Sequence, residues 1–158
     1  MVLPKITKGD TSVNYATIAR QFIQAFERNQ HSIFDELCSP EITTYTPLVW
    51  ESKGLDRFKA YVQEFHKAFP GFRTTIHDLI SSNDKVVIRV TISFTNSGSF
   101  FNYPPTGKSG ESMETYTCQF VDGQIVEMYV ADNTFDMAAL FVRDWNHDFP
   151  RNIKEQGI

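Results

Sequence analysis

An α+β domain is predicted by three features of this 158-residue chain. Apolar residues recur at helical spacing in the first half, while β-branched and aromatic residues dominate the second. The strand-like runs of the second half are joined by short turns, which favours antiparallel neighbours over crossovers. Together they predict helices first, one strand, a long helix, and then a meander of strands.

The first helix is expected to open at Asp10-Thr11-Ser12, a cluster of good N-cap residues. Tyr15, Ile18, Ala19, Phe22, Ile23 and Phe26 then form an apolar stripe, with Arg20, Gln21, Gln24 and Glu27 between them. Ser32 to Leu37 reads as a short second helix, capped by Ser32 and stopped before Pro40. Ile42 to Thr46 is β-branched and aromatic, hence a strand, and a Pro-containing loop runs through Pro47 and Trp50 to Gly54. Helical spacing returns at Leu55, Phe58, Val62, Phe65 and Phe69, and Pro70-Gly71 ends it.

Phe72 to Ile80 and Val86 to Thr95 are expected strands around a turn at Ser81 to Asp84. Asn96 to Gly110 carries Gly98, Pro104, Pro105, Gly107 and Gly110 and reads as a long loop. Glu111 to Val121 and Gln124 to Ala131 flank Asp122-Gly123, the strongest short hairpin signal in the chain. Phe135 to Val142 reads as a terminal helical turn or two, followed by a polar, irregular tail at 143–158. With no repeat, linker or low-complexity stretch, residues 1–158 read as a single domain with its core at about 12–142.

Fifteen basic against nineteen acidic residues give a net charge of -4, which argues against a nucleic-acid surface. No run approaches the roughly eighteen apolar residues of a membrane span, and Met1 to Thr7 lacks the apolar stretch of a secretory signal. Cys38 and Cys118, far apart and without CxxC spacing, read as reduced thiols. The expectation is a cytoplasmic protein. Fourteen Phe, six Tyr and two Trp would serve either as core filler or as the wall of an apolar cavity.

Several segments in order carry a resemblance. They are Ala68-Phe69-Pro70-Gly71-Phe72 before a strand, Asn83 to Arg89, Pro105-Thr106-Gly107-Lys108, and Asp122-Gly123-Gln124-Ile125-Val126-Glu127 with Asp132 five residues on. Over about residues 12–142 the chain resembles the SnoaL-like polyketide cyclases, within the nuclear-transport-factor-two-like fold. The resemblance implies a cone: a curved, mostly antiparallel sheet with about three helices across its open side, enclosing an apolar pocket. It also implies a cofactor-free cyclase or isomerase acting on a hydrophobic natural-product intermediate, in a homo-oligomer, most simply a dimer.

Asp132 leads the candidates for chemistry. It shares a face with Met128 and Val130 on an apolar strand, and the family pattern puts the acid/base Asp there. A carboxylate on a cavity wall is poorly solvated, which raises its pKa toward the working range of a general acid or base. The alternative is that Asp132, with Asn133 and Thr134, caps the last helix. Glu114 and Tyr116 share one face of their strand with Cys118 and Phe120, against Thr115, Thr117 and Gln119 on the other, and either face could point inward. Pointing inward, they would hydrogen-bond an enolate or carbonyl oxygen beside Asp132; pointing outward, they are rim residues.

His66, one step off the apolar stripe, would edge the cavity as a further polar anchor or stand partly exposed. Tyr45 and Trp50 flank the Pro47 loop at the expected cavity mouth, as gate or packing residues, and Phe65, Met128, Val130 and Asn96 complete the expected substrate-binding set. Asn96 stands where many relatives carry the His of a Thr-His-x-Gly segment, and Tyr129 replaces a common Trp. Arg89 reads as solvent-facing. No HExxH or His-x-His spacing supports a metal, and none is expected. Gly107-Lys108-Ser109 fails as a phosphate loop because position 102 is Asn102 and a strand follows. No cofactor is expected. A non-catalytic binding module on the same cone, and a dehydratase or epoxide hydrolase, are the alternative readings.

Overall fold

The computed structural model describes residues 14–46 and 51–132. Element order is α1 (Tyr15–Arg28), α2 (His31–Leu37), β1 (Cys38–Tyr45), β2 (Ser52–Lys53), α3 (Leu55–Ala68), β3 (Arg73–Ser82), β4 (Lys85–Thr95), β5 (Ser109–Val121) and β6 (Gln124–Asp132). The six strands form one sheet in the order β2-β1-β6-β5-β4-β3. Every neighbouring pair is antiparallel except β1 with β6. This is the expected α+β class, and the mixed pairing follows from α3 and the meander lying between β1 and β6 in the chain.

Local chemistry accounts for the element ends. The N-cap of α1 is Asn14, whose Oδ1 accepts from the Thr17 amide at 3.1 Å, so the cap expected at Asp10-Thr11-Ser12 falls to a later residue. Helix α2 begins at His31 behind Gln30 and has no side-chain cap, so Ser32 sits inside the helix rather than capping it. Strand β1 starts four residues earlier than expected and tolerates Pro40, because the β1–β6 ladder is irregular between Cys38 and Thr43. At the β5–β6 turn, Asp122 and Gly123 both take positive φ (49° and 83°), as a type I′ hairpin requires. The expected helix at 135–142, the polar tail and Trp50 lie outside the described residues.

Three interruptions of register curve the sheet: between Cys38 and Thr43, between Ile76 and Asp78, and between Gln119 and Phe120. The helices fill the concave side. Burial alternates strictly along β4, with Val86, Ile88, Val90, Ile92 and Phe94 inward. It alternates likewise along β5 from Ser112 through Glu114, Tyr116 and Cys118 to Phe120. Rings of α1, α2 and α3 interlock above them, with Phe22 against Phe34 and Phe58 at 5.3 and 5.5 Å, and Phe26 against Phe65 at 5.1 Å. On the convex side Ile80, Met113 and Tyr129 are exposed, and Arg89 pairs with Asp78 at 2.5 Å, solvent-facing as expected. Both cysteines are buried free thiols, their pKa values pushed up to about 12 chiefly by desolvation. No helix among the described residues is long and apolar enough to cross a membrane.

The 96–108 loop is closed at its base by Asn96, which is fully buried. Its amide nitrogen donates to the carbonyls of Ala68 and Gly98, and its Oδ1 accepts from the amide and hydroxyl of Thr106 at 2.8 and 2.9 Å. With these four bonds made to its own loop and to α3, Asn96 is a structural tie and not a pocket residue, which corrects its place in the expected substrate-binding set. Gly98 sits under the end of α3 so closely that a Cβ would lie 1.9 Å from the Lys67 carbonyl oxygen. Asn96→Ala, which strands several of these buried partners, should cost about 2–4 kcal/mol of unfolding free energy in urea titration.

Candidate active site

One pocket opens between the concave sheet and the helices. Its wall combines Phe22 and Phe26 from α1, Phe58, Tyr61 and Phe65 from α3, Thr46 after β1, Glu114 and Tyr116 from β5, and Met128, Val130 and Asp132 from β6. The non-atom space is about 410 Å³, counting the part open to solvent. It is a narrow cleft.

The strands place the polar groups by period two. On β6, Met128, Val130 and Asp132 share the inward face, as expected. On β5 the question left open by the sequence is resolved, since the Glu114 and Tyr116 face is the buried one. Glu114 and Asp132 are direct register partners, so two carboxyl groups stand side by side across the β5–β6 ladder. The Tyr116 hydroxyl donates to Glu114 Oε2 at 2.6 Å. That bond commits Tyr116 to holding Glu114.

Glu114 is 6% exposed. Burial pushes its carboxyl up to about 7, opposed by the hydrogen bonds from Tyr116 and Ser112 and reinforced by the neighbouring Asp132 charge. The hydroxyls of Tyr61 and Tyr116 are both raised, by burial first and then by the Glu114 carboxylate. In Tyr61 a hydrogen bond with Thr46 works against that rise. A buried acid of this kind, beside a second carboxyl, can carry or release a proton near neutral pH.

The other expected site residues divide. Phe65 lines the pocket. His66 does not: its Nε2 donates to the Phe26 carbonyl at 2.6 Å and its ring lies 4.9 Å from that of Phe72, tying α3 to α1. Tyr45 points to the convex side, where it stacks on Tyr129 at 4.3 Å; strand parity puts Thr44 and Thr46 inward instead. Among the described residues no group of three or more His, Cys, Asp or Glu side chains is placed to hold a metal ion.

Tyr61 and Thr46 were not singled out by the sequence. The available signal for Tyr61 was its spacing, three residues after Phe58 and four before Phe65 on one flank of the α3 stripe. Three rings now hold it: Phe58, Phe65 and Phe100, the last edge-on at 6.2 Å from the 96–108 loop.

The raised Glu114 acid has a consequence for stability. Between its ordinary value near 4.5 and about 7 the folded chain holds a proton that the unfolded chain has released. Stability therefore falls as pH rises through this window, by about 3 kcal/mol in total. Glu114→Gln should remove that slope, leaving the variant more stable than the parent at pH 8 and much closer to it at pH 5. Urea denaturation at the two pH values checks this.

The same architecture recurs among known proteins. A search of curated proteins found no match. Among solved structures, AclR of Streptomyces galilaeus, described as a candidate hydroxylase, is 24% identical, with a TM-score of 0.73 over 92% of this chain and 91% of that one. IdmH of Streptomyces antibioticus, a candidate polyketide cyclase, is 20% identical, with a TM-score of 0.69 over 80% and 97%. An NTF2-like protein of unknown function from Burkholderia pseudomallei is 17% identical, with a TM-score of 0.68 over 80% and 95%. These likenesses carry the fold. The sequence profile of the SnoaL-like polyketide cyclases matches residues 16–140, most of the chain, and the protein belongs to that family.

Proposed function

We propose that the protein is a cofactor-independent acid/base enzyme that cyclises or isomerises an apolar, oxygenated natural-product intermediate of the polyketide or terpenoid kind. The observation that carries this reading is the Glu114–Asp132 pair, set across β5 and β6 on the wall of an aromatic-lined pocket. Family membership and the candidate cyclase IdmH support the substrate class.

The chemistry needs only proton transfers. Asp132, as carboxylate, takes a proton from the carbon next to a substrate carbonyl. The protonated carboxyl of Glu114 gives its proton to the carbonyl oxygen, producing an enol. Returning the protons at different positions isomerises the substrate. Alternatively the enol carbon attacks a second carbonyl: a C–C bond closes the ring, Asp132 protonates the new alkoxide, and the enol O–H returns its proton to Glu114. No electrons leave the system and no group is lost. Tyr116 positions Glu114, and the rings of Phe22, Phe58 and Phe65 keep water from the carbanion-like centre.

Deuterium exchange into a probe ketone, 2-tetralone, in heavy water tests the proton-transfer step and does not require the natural substrate. The protein should accelerate exchange at the α carbon, and Asp132→Asn should reduce that acceleration by about 10²–10⁴-fold. Full retention of exchange in Asp132→Asn would overturn the mechanism. Binding of the ketone with no accelerated exchange would instead favour a binding module.

A further inference from the structure

Among the described residues the pocket is lined by two carboxyl groups and by no Lys, Arg or His. Several basic side chains of α3 and the sheet are engaged elsewhere. Lys59 pairs with Asp35 at 2.5 Å, Lys67 with Glu64 at 3.6 Å, Arg89 with Asp78, and the His66 ring donates to the Phe26 carbonyl. An anionic ligand entering here would lose its hydration shell without gaining a counter-charge from the described pocket wall, beside carboxyls that already crowd each other. The rings of Phe22, Phe26, Phe58 and Phe65 suit a flat apolar body. The cleft is narrow, so one atom at the end of such a body meets Glu114.

The groups that face Glu114 define what that atom can be. They are Asp132 from β6, Tyr116 and Ser112 from β5, and Tyr61 from α3; α1 contributes only the rings of Phe22 and Phe26. The Tyr116 hydroxyl donates into Glu114, so its proton is not available to a ligand. A carboxyl group has about four lone-pair sites, so Glu114 can accept from Tyr116 and Ser112 and still carry a proton of its own. Once protonated, it is an acidic donor on the pocket wall, and the matching ligand atom is an uncharged acceptor.

Resting on the acid/base reading above, we propose that the pocket selects an uncharged carbonyl-ended ligand, which accepts a hydrogen bond from protonated Glu114, and that it excludes carboxylates and other anions. Binding is then linked to proton uptake. At high pH ligand binding must also drive the protonation of Glu114, and the apparent affinity scales with the protonated fraction. A charged acid form of a substrate would have to be masked by the preceding reaction before it could enter.

Three probes of matched size test this by titration calorimetry on the intact protein: acetophenone, benzoate and benzylammonium. Acetophenone should bind with proton uptake, measured at pH 7.5 in buffers of different ionisation enthalpy, and about 30-fold more weakly at pH 8.5 than at pH 6. Benzoate should bind at least about tenfold more weakly than acetophenone at pH 6. Glu114→Gln, folded by circular dichroism, should keep acetophenone binding through its amide N–H while losing the pH dependence. Acetophenone binding that is flat with pH, or benzoate or benzylammonium binding more tightly than acetophenone at pH 6, would overturn the proposal. Accelerated exchange of 2-tetralone alongside such a result would show that the selectivity inference had failed and the acid/base reading had not.

Discussion

The pleat of β5 is the constraint from which the site follows. Successive side chains of a strand point to opposite faces, so Ser112, Glu114, Tyr116, Cys118 and Phe120 must share one fate. Phe120 and Cys118 are essentially inaccessible to solvent, and burying them on the concave side drags Glu114 into the same environment. A slip of one residue would turn the whole set outward and bring Thr115, Thr117 and Gln119 inside. The unbroken register with β4 from Lys85 to Thr95 and the tight Asp122-Gly123 turn to β6 hold the strand against that slip. The carboxyl is buried because its neighbours are hydrophobic.

That burial sets stability against chemistry. An ionised Glu114 beside Asp132 is poorly compensated, so the fold favours the protonated acid. The hydrogen bonds from Tyr116 and Ser112 offset part of the cost and prevent the acid from rising further. A glutamine would fill the same space without the penalty, but could neither give up nor take a proton at neutral pH. The cost of that buried acid is borne by the aromatic core packed around it.

The two halves of the molecule contribute differently to the pocket. Helices α1 and α3 supply almost only rings, which interlock with one another and leave a cleft at the sheet surface. Among the described residues, strands β5 and β6 supply both carboxyls of the wall. The 96–108 loop reaches the site at one remove, through Phe100 against the Tyr61 ring, while Asn96 anchors its base outside the pocket. Asn96 therefore serves architecture in this chain, and the carboxyl groups of the described pocket wall lie on adjacent strands.

Period and turn chemistry were legible in the residues alone. The two amphipathic helices, the meander, the Asp122-Gly123 hairpin and the shared face of Met128, Val130 and Asp132 are local properties, readable from side-chain spacing. Which face of each strand became interior was settled by packing, because parity pairs residues without saying which pair meets the helices. Packing turned Glu114 and Tyr116 in and Tyr45 out, bent His66 toward the α1 carbonyl, and brought Tyr61 beside Thr46 from a different element. It also juxtaposed Glu114 with Asp132, a contact set by the register of two strands and invisible to any one-dimensional pattern.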